Sequence, residues 1–219
     1  MNKIVKLLMA LVFCILLVGC GSKSGSKDNA GKWSTQTKYE VSVMSKDALD
    51  AFEKANTKYE LVALLGKQVV AGMNYMYLAF DGTNYRVVVV YNDLDGKATV
   101  SHDTVFDATK FANVNKSNPA EELVGGWKVE IPDVGVKLED NIQKTFDRSM
   151  EKLVGMNYTP IGTLSSMSDN GTTYLVLCYG SMVTAEENSG VYLLTLHDDG
   201  KENYELKTSA YIDLANYNK

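Results

Sequence analysis

The feature that most constrains this 219-residue chain is that part of it occurs twice. Tyr59 through Phe80 aligns without a gap on Tyr158 through Tyr179, so the shift is 99 residues. Under it Leu65 meets Leu164, Gly72 meets Gly171, Tyr75 meets Tyr174 and Leu78 meets Leu177. Outside that window Trp33 corresponds to Trp127, Asp95-Gly96-Lys97 to Asp199-Gly200-Lys201, and Val105-Phe106-Asp107 to Tyr211-Ile212-Asp213. The chain therefore divides into two diverged copies, 33–112 and 125–219. A linker of turn-forming composition joins them at 113–124, with Asn115, Ser117, Asn118 and Pro119. Whatever one copy folds into must be buildable from about 80 to 95 residues, enough for one core.

Each copy begins with a helical pattern. In the first, Ser45 is placed to cap a helix with Asp47 in its first turn, and Ala48, Phe52, Ala55 and Tyr59 follow at helical spacing. In the second the stripe is Leu138, Ile142, Phe146, Met150 and Leu153, with Gly155 as the terminating residue. Such stripes are expected to be buried as core. Four strand-like runs follow the first helix: Glu60–Lys67, Met73–Phe80, Tyr85–Tyr91 and Ala98–Phe106. Asp81-Gly82-Thr83-Asn84 and Asn92-Asp93-Leu94-Asp95-Gly96 separate them with turn chemistry. Connections this short join antiparallel neighbours, because a parallel crossover needs a dozen or more residues. The unbroken apolar run Val87–Val90 predicts a central strand. A helix followed by an antiparallel meander is an α+β layer, the helix closing one face of the sheet. An extra strand is expected ahead of each helix, within 33–44 and 127–131.

Between the first two strands after the first helix lies Gln68-Val69-Val70-Ala71-Gly72, followed by Met73-Asn74-Tyr75. Hairpin tips face water, so an apolar run there is either a fault or a binding surface. The pentapeptide resembles the Gln-x-Val-x-Gly signature of the cystatin family of cysteine-protease inhibitors. The order of helix and strands is similar to the cystatin fold, in which a sheet wraps around one helix. The resemblance covers the first copy closely and the second by architecture only. It implies an α+β chain of two tandem cystatin-like domains, each one helix packed on an antiparallel β-sheet. It further implies that Gln68, Val69, Val70, Ala71 and Gly72 enter the cleft of a papain-like cysteine protease, Val69 and Val70 supplying buried area worth about 1.5–3 kcal/mol each.

Cystatins complete that wedge with a glycine-containing N-terminal segment and a second hairpin carrying a Pro-Trp pair. Gly31, ahead of Trp33, is the candidate for the former. The matching second hairpin, Asn92–Gly96, has neither Pro nor Trp and brings two aspartates whose desolvation is costly. The second copy carries Met167-Ser168-Asp169-Asn170-Gly171, a polar turn, where the signature should be. A second reading thus stays open, in which Val69 and Ala71, or Val70, face the core or the other copy, Gly72 marks a bulge, and the chain is an envelope scaffold or binding module that keeps only the fold.

The N-terminus supplies an address. Lys3 and Lys6 precede an apolar run from Leu7 to Val18, the pattern of a secretory signal, and that run is shorter than the about 20 residues a spanning helix needs. Leu17-Val18-Gly19-Cys20 resembles a bacterial lipobox, which implies cleavage of 1–19, lipid on Cys20, and attachment to the extracytoplasmic face of the cell membrane. Residues 20–32 then form a Gly/Ser-rich tether, with a reach of about 20 Å for its twelve residues after Cys20. Cys178 would be the remaining thiol, in the strand-like run Leu175–Tyr179, and is expected to be a small buried residue. Without Lys3 and Lys6 the 22 basic residues fall to 20, against 27 acidic ones.

That acidity excludes nucleic acid as a partner. Asp93-x-Asp95-Gly96 lacks the remaining ligands of a calcium loop, and His102 and His197 are single histidines in different copies, so neither metal nor cofactor is expected. No nucleophile elbow or phosphate-binding glycine loop occurs. The chain is expected to be no enzyme and to work by binding a papain-like protease or another surface protein.

Overall fold

Turn chemistry and apolar periodicity place the elements much as expected. A computed structural model describes residues 33–35, 41–115, 127–128, 135–183 and 189–217. The leader and tether with Cys20 and Gly31, and most of the linker, lie outside these residues. The first unit comprises α1 (Lys46–Lys54) and strands β2 (Glu60–Val70), β3 (Gly72–Phe80), β4 (Tyr85–Asn92) and β5 (Ala98–Val105). The second comprises α2 (Asp140–Met150) and β7 (Met156–Ser168), β8 (Thr172–Met182), β9 (Ser189–Asp198) and β10 (Tyr204–Ile212). All neighbours in both meanders pair antiparallel. Two tandem α+β units, each with a helix on a four-stranded antiparallel sheet, are therefore present, consistent with a cystatin-like fold.

Short strands at the front of the copies change partners. β1 (Trp33–Thr35) pairs with β7 of the second unit, and β6 (Trp127–Lys128) pairs with β2 of the first. Each copy thus lends a strand to the other's sheet, and the two sheets run β5-β4-β3-β2-β6 and β1-β7-β8-β9-β10.

The sheets also pack face to face. Leu65, Met76, Leu78 and Val89 of the first unit share one core with Leu164, Leu175, Leu177 and Leu193 of the second. The opposite face of each sheet carries its helix: Ala48, Ala51 and Phe52 lie against Tyr77, Val88 and Val90, and Ile142 and Phe146 against Val176, Cys178 and Leu194. The layers run helix, sheet, sheet, helix. This explains Val87–Val90 more fully than a central position does: Val87 and Val89 face the other sheet, Val88 and Val90 face α1.

Two bulges in each first strand shape this interface. Register slips at Val62 and Leu65 in β2 and at Ile161 and Leu164 in β7, the same positions under the 99-residue shift. All four side chains enter the shared core. The carbonyl of Val62 accepts from the Ser42 amide at 3.0 Å, so this backbone group is not left bare.

Some expectations need correction. α1 is capped by Ser45, whose hydroxyl accepts from the Ala48 amide at 3.4 Å, but it ends at Lys54, and Asn56 then takes φ +50°. Tyr59 therefore leads into β2 rather than completing the helical stripe. Leu138 precedes α2, and Gly155, at φ +91°, lies beyond its cap Glu151 instead of terminating it. The second hairpins also align differently. Asp93 and Asp199 each donate their amide to the residue four on, Lys97 at 3.0 Å and Asn203 at 3.2 Å. Asp199 therefore matches Asp93 rather than Asp95, and the shift has grown to 106 residues by this point. The expectation for Cys178 holds: it is buried, and burial pushes its thiol well up.

Candidate functional site

The pentapeptide lies almost wholly in the β2–β3 ladder. Gln68 faces Asn74, Val69 faces Met73 and Val70 faces Gly72, leaving Ala71 alone at the turn. Asn74 Nδ2 donates to Gln68 Oε1 at 2.7 Å, locking the pair across the strands. On its other edge Gln68 pairs with Trp127 of β6. The side chains of the tip stay in water: Val69 is 71% exposed and Val70 42%. Neither is buried against the second unit.

Gly72 holds this tip against the next hairpin. Its φ of +124° disfavours any residue with a Cβ, and a Cβ here would stand 2.5 Å from the Asn92 carbonyl oxygen and 3.1 Å from Asp93 Cα. The Tyr91 hydroxyl closes the contact by donating to the Ala71 carbonyl. The β4–β5 turn beside it is rigid in turn. Asp93 accepts from the amides of Asp95 (3.0 Å) and Lys97 (2.8 Å), and Lys54 Nζ on α1 donates to the Gly96 carbonyl at 3.4 Å. Asp93 is thus committed within its own loop, and Asp95 is the exposed acid.

This geometry brings one residue forward that sequence reasoning missed. Leu94, in the middle of that polar turn, is 86% exposed. The two adjacent hairpins present Val69, Val70 and Leu94 at one end of the first sheet. An apolar residue inside an Asx-type turn is the same anomaly as two valines at a hairpin tip, and would have been the signal.

The second unit repeats the backbone without the apolar side chains. Gly171 has φ +118°, and a Cβ on it would stand 2.2 Å from the Asp198 carbonyl oxygen. Ser168, Asp169 and Asn170 precede it, the polar turn that the sequence predicts. The contact between neighbouring hairpins therefore favours glycine at this position in both copies, while the valines occur in the first copy alone.

Among the described residues no group of three His, Cys, Asp or Glu side chains could hold a metal ion, and no helix is long and apolar enough to cross a membrane. No family model matches the chain, and no curated protein matches it.

Proposed function

We propose that the protein is a cystatin-like binding module whose working surface is the β2–β3 tip, Gln68 to Gly72, and that it occludes the cleft of a papain-like cysteine protease. The observation that carries this reading is the exposure of Val69 and Val70 on a tip pinned by the Gln68–Asn74 side-chain bond across the ladder and by the Tyr91 hydroxyl on the Ala71 carbonyl. A pinned tip loses little conformational entropy on binding, so the burial of two valines is retained as affinity. In this reading the chain acts by occlusion rather than by chemistry. Lipid on Cys20 would hold it at the extracytoplasmic face of the membrane, with 20–32 as tether.

A titration of residues 27–219 against papain-like enzymes tests the activity. Inhibition at or below micromolar protein is expected. Replacing both valines by aspartate should weaken it by about 10²–10⁴-fold, the equivalent of two buried valines. An unaffected double variant, or no inhibition at micromolar protein, sinks the protease reading. Membrane attachment is tested separately by detergent-phase partition of the wild type against Cys20→Ala.

The second reading is a scaffold or binding module without inhibition. It is favoured by Gly171, which keeps the glycine contact in a copy that has no signature.

A further inference from the structure

The paired strands match residues of the two units one to one at the end of each sheet away from the hairpin tips just described. Tyr59 corresponds to Tyr158, Asp81 to Gly180, Arg86 to Tyr192 and Asp103 to Ser209. In the first unit these positions form a closed charged network. The Tyr59 hydroxyl donates to Asp103 at 2.7 Å, and Arg86 Nε donates to the same carboxylate at 2.7 Å. Arg86 also reaches Asp81 at 3.3 Å, and its guanidinium lies 5.2 Å from the Tyr59 ring centre.

The second unit keeps that geometry and removes every charge. The Tyr158 hydroxyl meets Ser209 Oγ at 2.8 Å, as Tyr59 meets Asp103. The Tyr192 ring stands edge-on to Tyr158 at 5.4 Å, where the guanidinium stood. Gly180 replaces the third charge, and a Cβ on it would come within 2.6 Å of the Tyr192 ring and 2.9 Å of the Tyr158 ring. Instead of a filled network there is a cavity of about 470 Å³, lined by Val154, Met156, Tyr158, Met182, Tyr192 and Ser209 among others. Its size falls within the range of small-molecule sites. No charged side chain lines it among the described residues.

We propose that this cavity is a binding site for a small uncharged aromatic molecule. Thioethers of Met156 and Met182 and the tyrosine rings suit a flat apolar body. Between them the Tyr158 and Ser209 hydroxyls have one hydrogen to spare after their mutual bond, enough for one polar group on the ligand. From the described lining an ionic ligand would lose its hydration without gaining a counter-charge. The site is separate from the hairpin surface, so the proposal does not rest on protease binding.

The test uses the full-length chain with methyl-labelled methionine, titrated by NMR with indole and with indole-3-carboxylate. Saturable shifts of the Met156 and Met182 methyls are expected with indole, at micromolar to millimolar affinity, and binding at least tenfold weaker with the carboxylate. Met182→Lys, at the half-exposed end of β8, should weaken indole binding at least tenfold without lowering the melting temperature. A Tyr192→Arg, Ser209→Asp variant restores the first unit's chemistry and should abolish binding; should it fail to fold, Met182→Lys alone decides. Absence of saturable shifts, equal binding of the carboxylate, or indifference to Met182→Lys overturns the proposal.

Discussion

The phenolic hydroxyl of Tyr179, in the second unit, donates a 2.6 Å hydrogen bond to the carbonyl oxygen of Leu64 in the first. That carbonyl sits between the two bulges of β2, so a side chain from the facing sheet satisfies a backbone group near the break in its own ladder. Ser42 Oγ completes the contact at 3.3 Å. Tyr179→Phe leaves the Leu64 oxygen without this donor, and should cost about 1–3 kcal/mol in urea denaturation, as a shift of midpoint with unchanged slope. Burial pushes the Tyr179 phenol up to about 12 from its ordinary 10.0. A raised value favours the protonated form in the fold, so this stability is intact below about pH 10 and lost as pH climbs toward 12. The wild type should therefore lose its advantage over Tyr179→Phe in that window.

Gly72 and Gly171 should behave alike under substitution, although one belongs to the apolar signature and the other to a polar turn. Alanine at either position meets a carbonyl oxygen and a backbone angle that L-residues rarely adopt. Each variant should lose about 1–3 kcal/mol by thermal or chemical denaturation. Gly82, which has a positive φ but open space around it, serves as control and should lose less. Equal penalties at 72 and 171 assign the signature glycine to the fold, leaving Val69 and Val70 as the residues that report on binding.

The individual unit was legible because its signals are local. Ser45 as cap, the Asp81–Asn84 and Asn92–Gly96 turns, and the apolar stripe of α2 each act within a few residues of themselves. What the two copies do to each other was not legible. Val87–Val90 is equally apolar whether one face or both are covered by protein, and a run of this kind does not say by what. β1 and β6 are too short to carry a pairing pattern, so their exchange depends on where the facing sheet lies. The bulges at Val62 and Leu65 hide within the apolar run 61–65. Leu94 was not legible because a single apolar residue within the polar turn Asn92–Gly96 does not by its type reveal whether it folds inward or stands in water.

The Asp81 network gives an acid-side counterpart to Tyr179. Amides of Asn84 (2.8 Å) and Thr83 (2.9 Å) donate to the Asp81 carboxylate and, with Arg86 beside it, hold its carboxyl below the usual carboxylate range. A lowered value favours the charged form in the fold, so the stabilisation is present above about pH 4 and disappears as pH falls through the folded value. Asp81→Asn should be less stable than wild type at neutral pH, and the gap should close on acidification. A gap that stays constant down to pH 2, measured by thermal denaturation, would show that the carboxylate's charge contributes nothing. Added salt should narrow it only in part, because Arg86 is just 19% exposed.

The face-to-face sheets make the halves dependent on one another. Separated into 33–112 and 125–219, the first half would expose Leu65, Met76, Leu78 and Val89 together with the rest of its inner sheet face. At about 1.5–3 kcal/mol for each side chain, these four alone are worth about 6–12 kcal/mol, as much as the whole net stability of a typical domain. Each half would also lack the short strand supplied by the other, and the Ala112 carbonyl would lose the Thr195 hydroxyl that donates to it at 2.7 Å. Either half expressed alone should therefore be unfolded or aggregated by circular dichroism and dye binding. Mixing the refolding halves should restore a one-to-one complex that unfolds in a single, concentration-dependent transition. Two independently folded halves with separate melting temperatures would instead mean that the shared core adds little to either sheet.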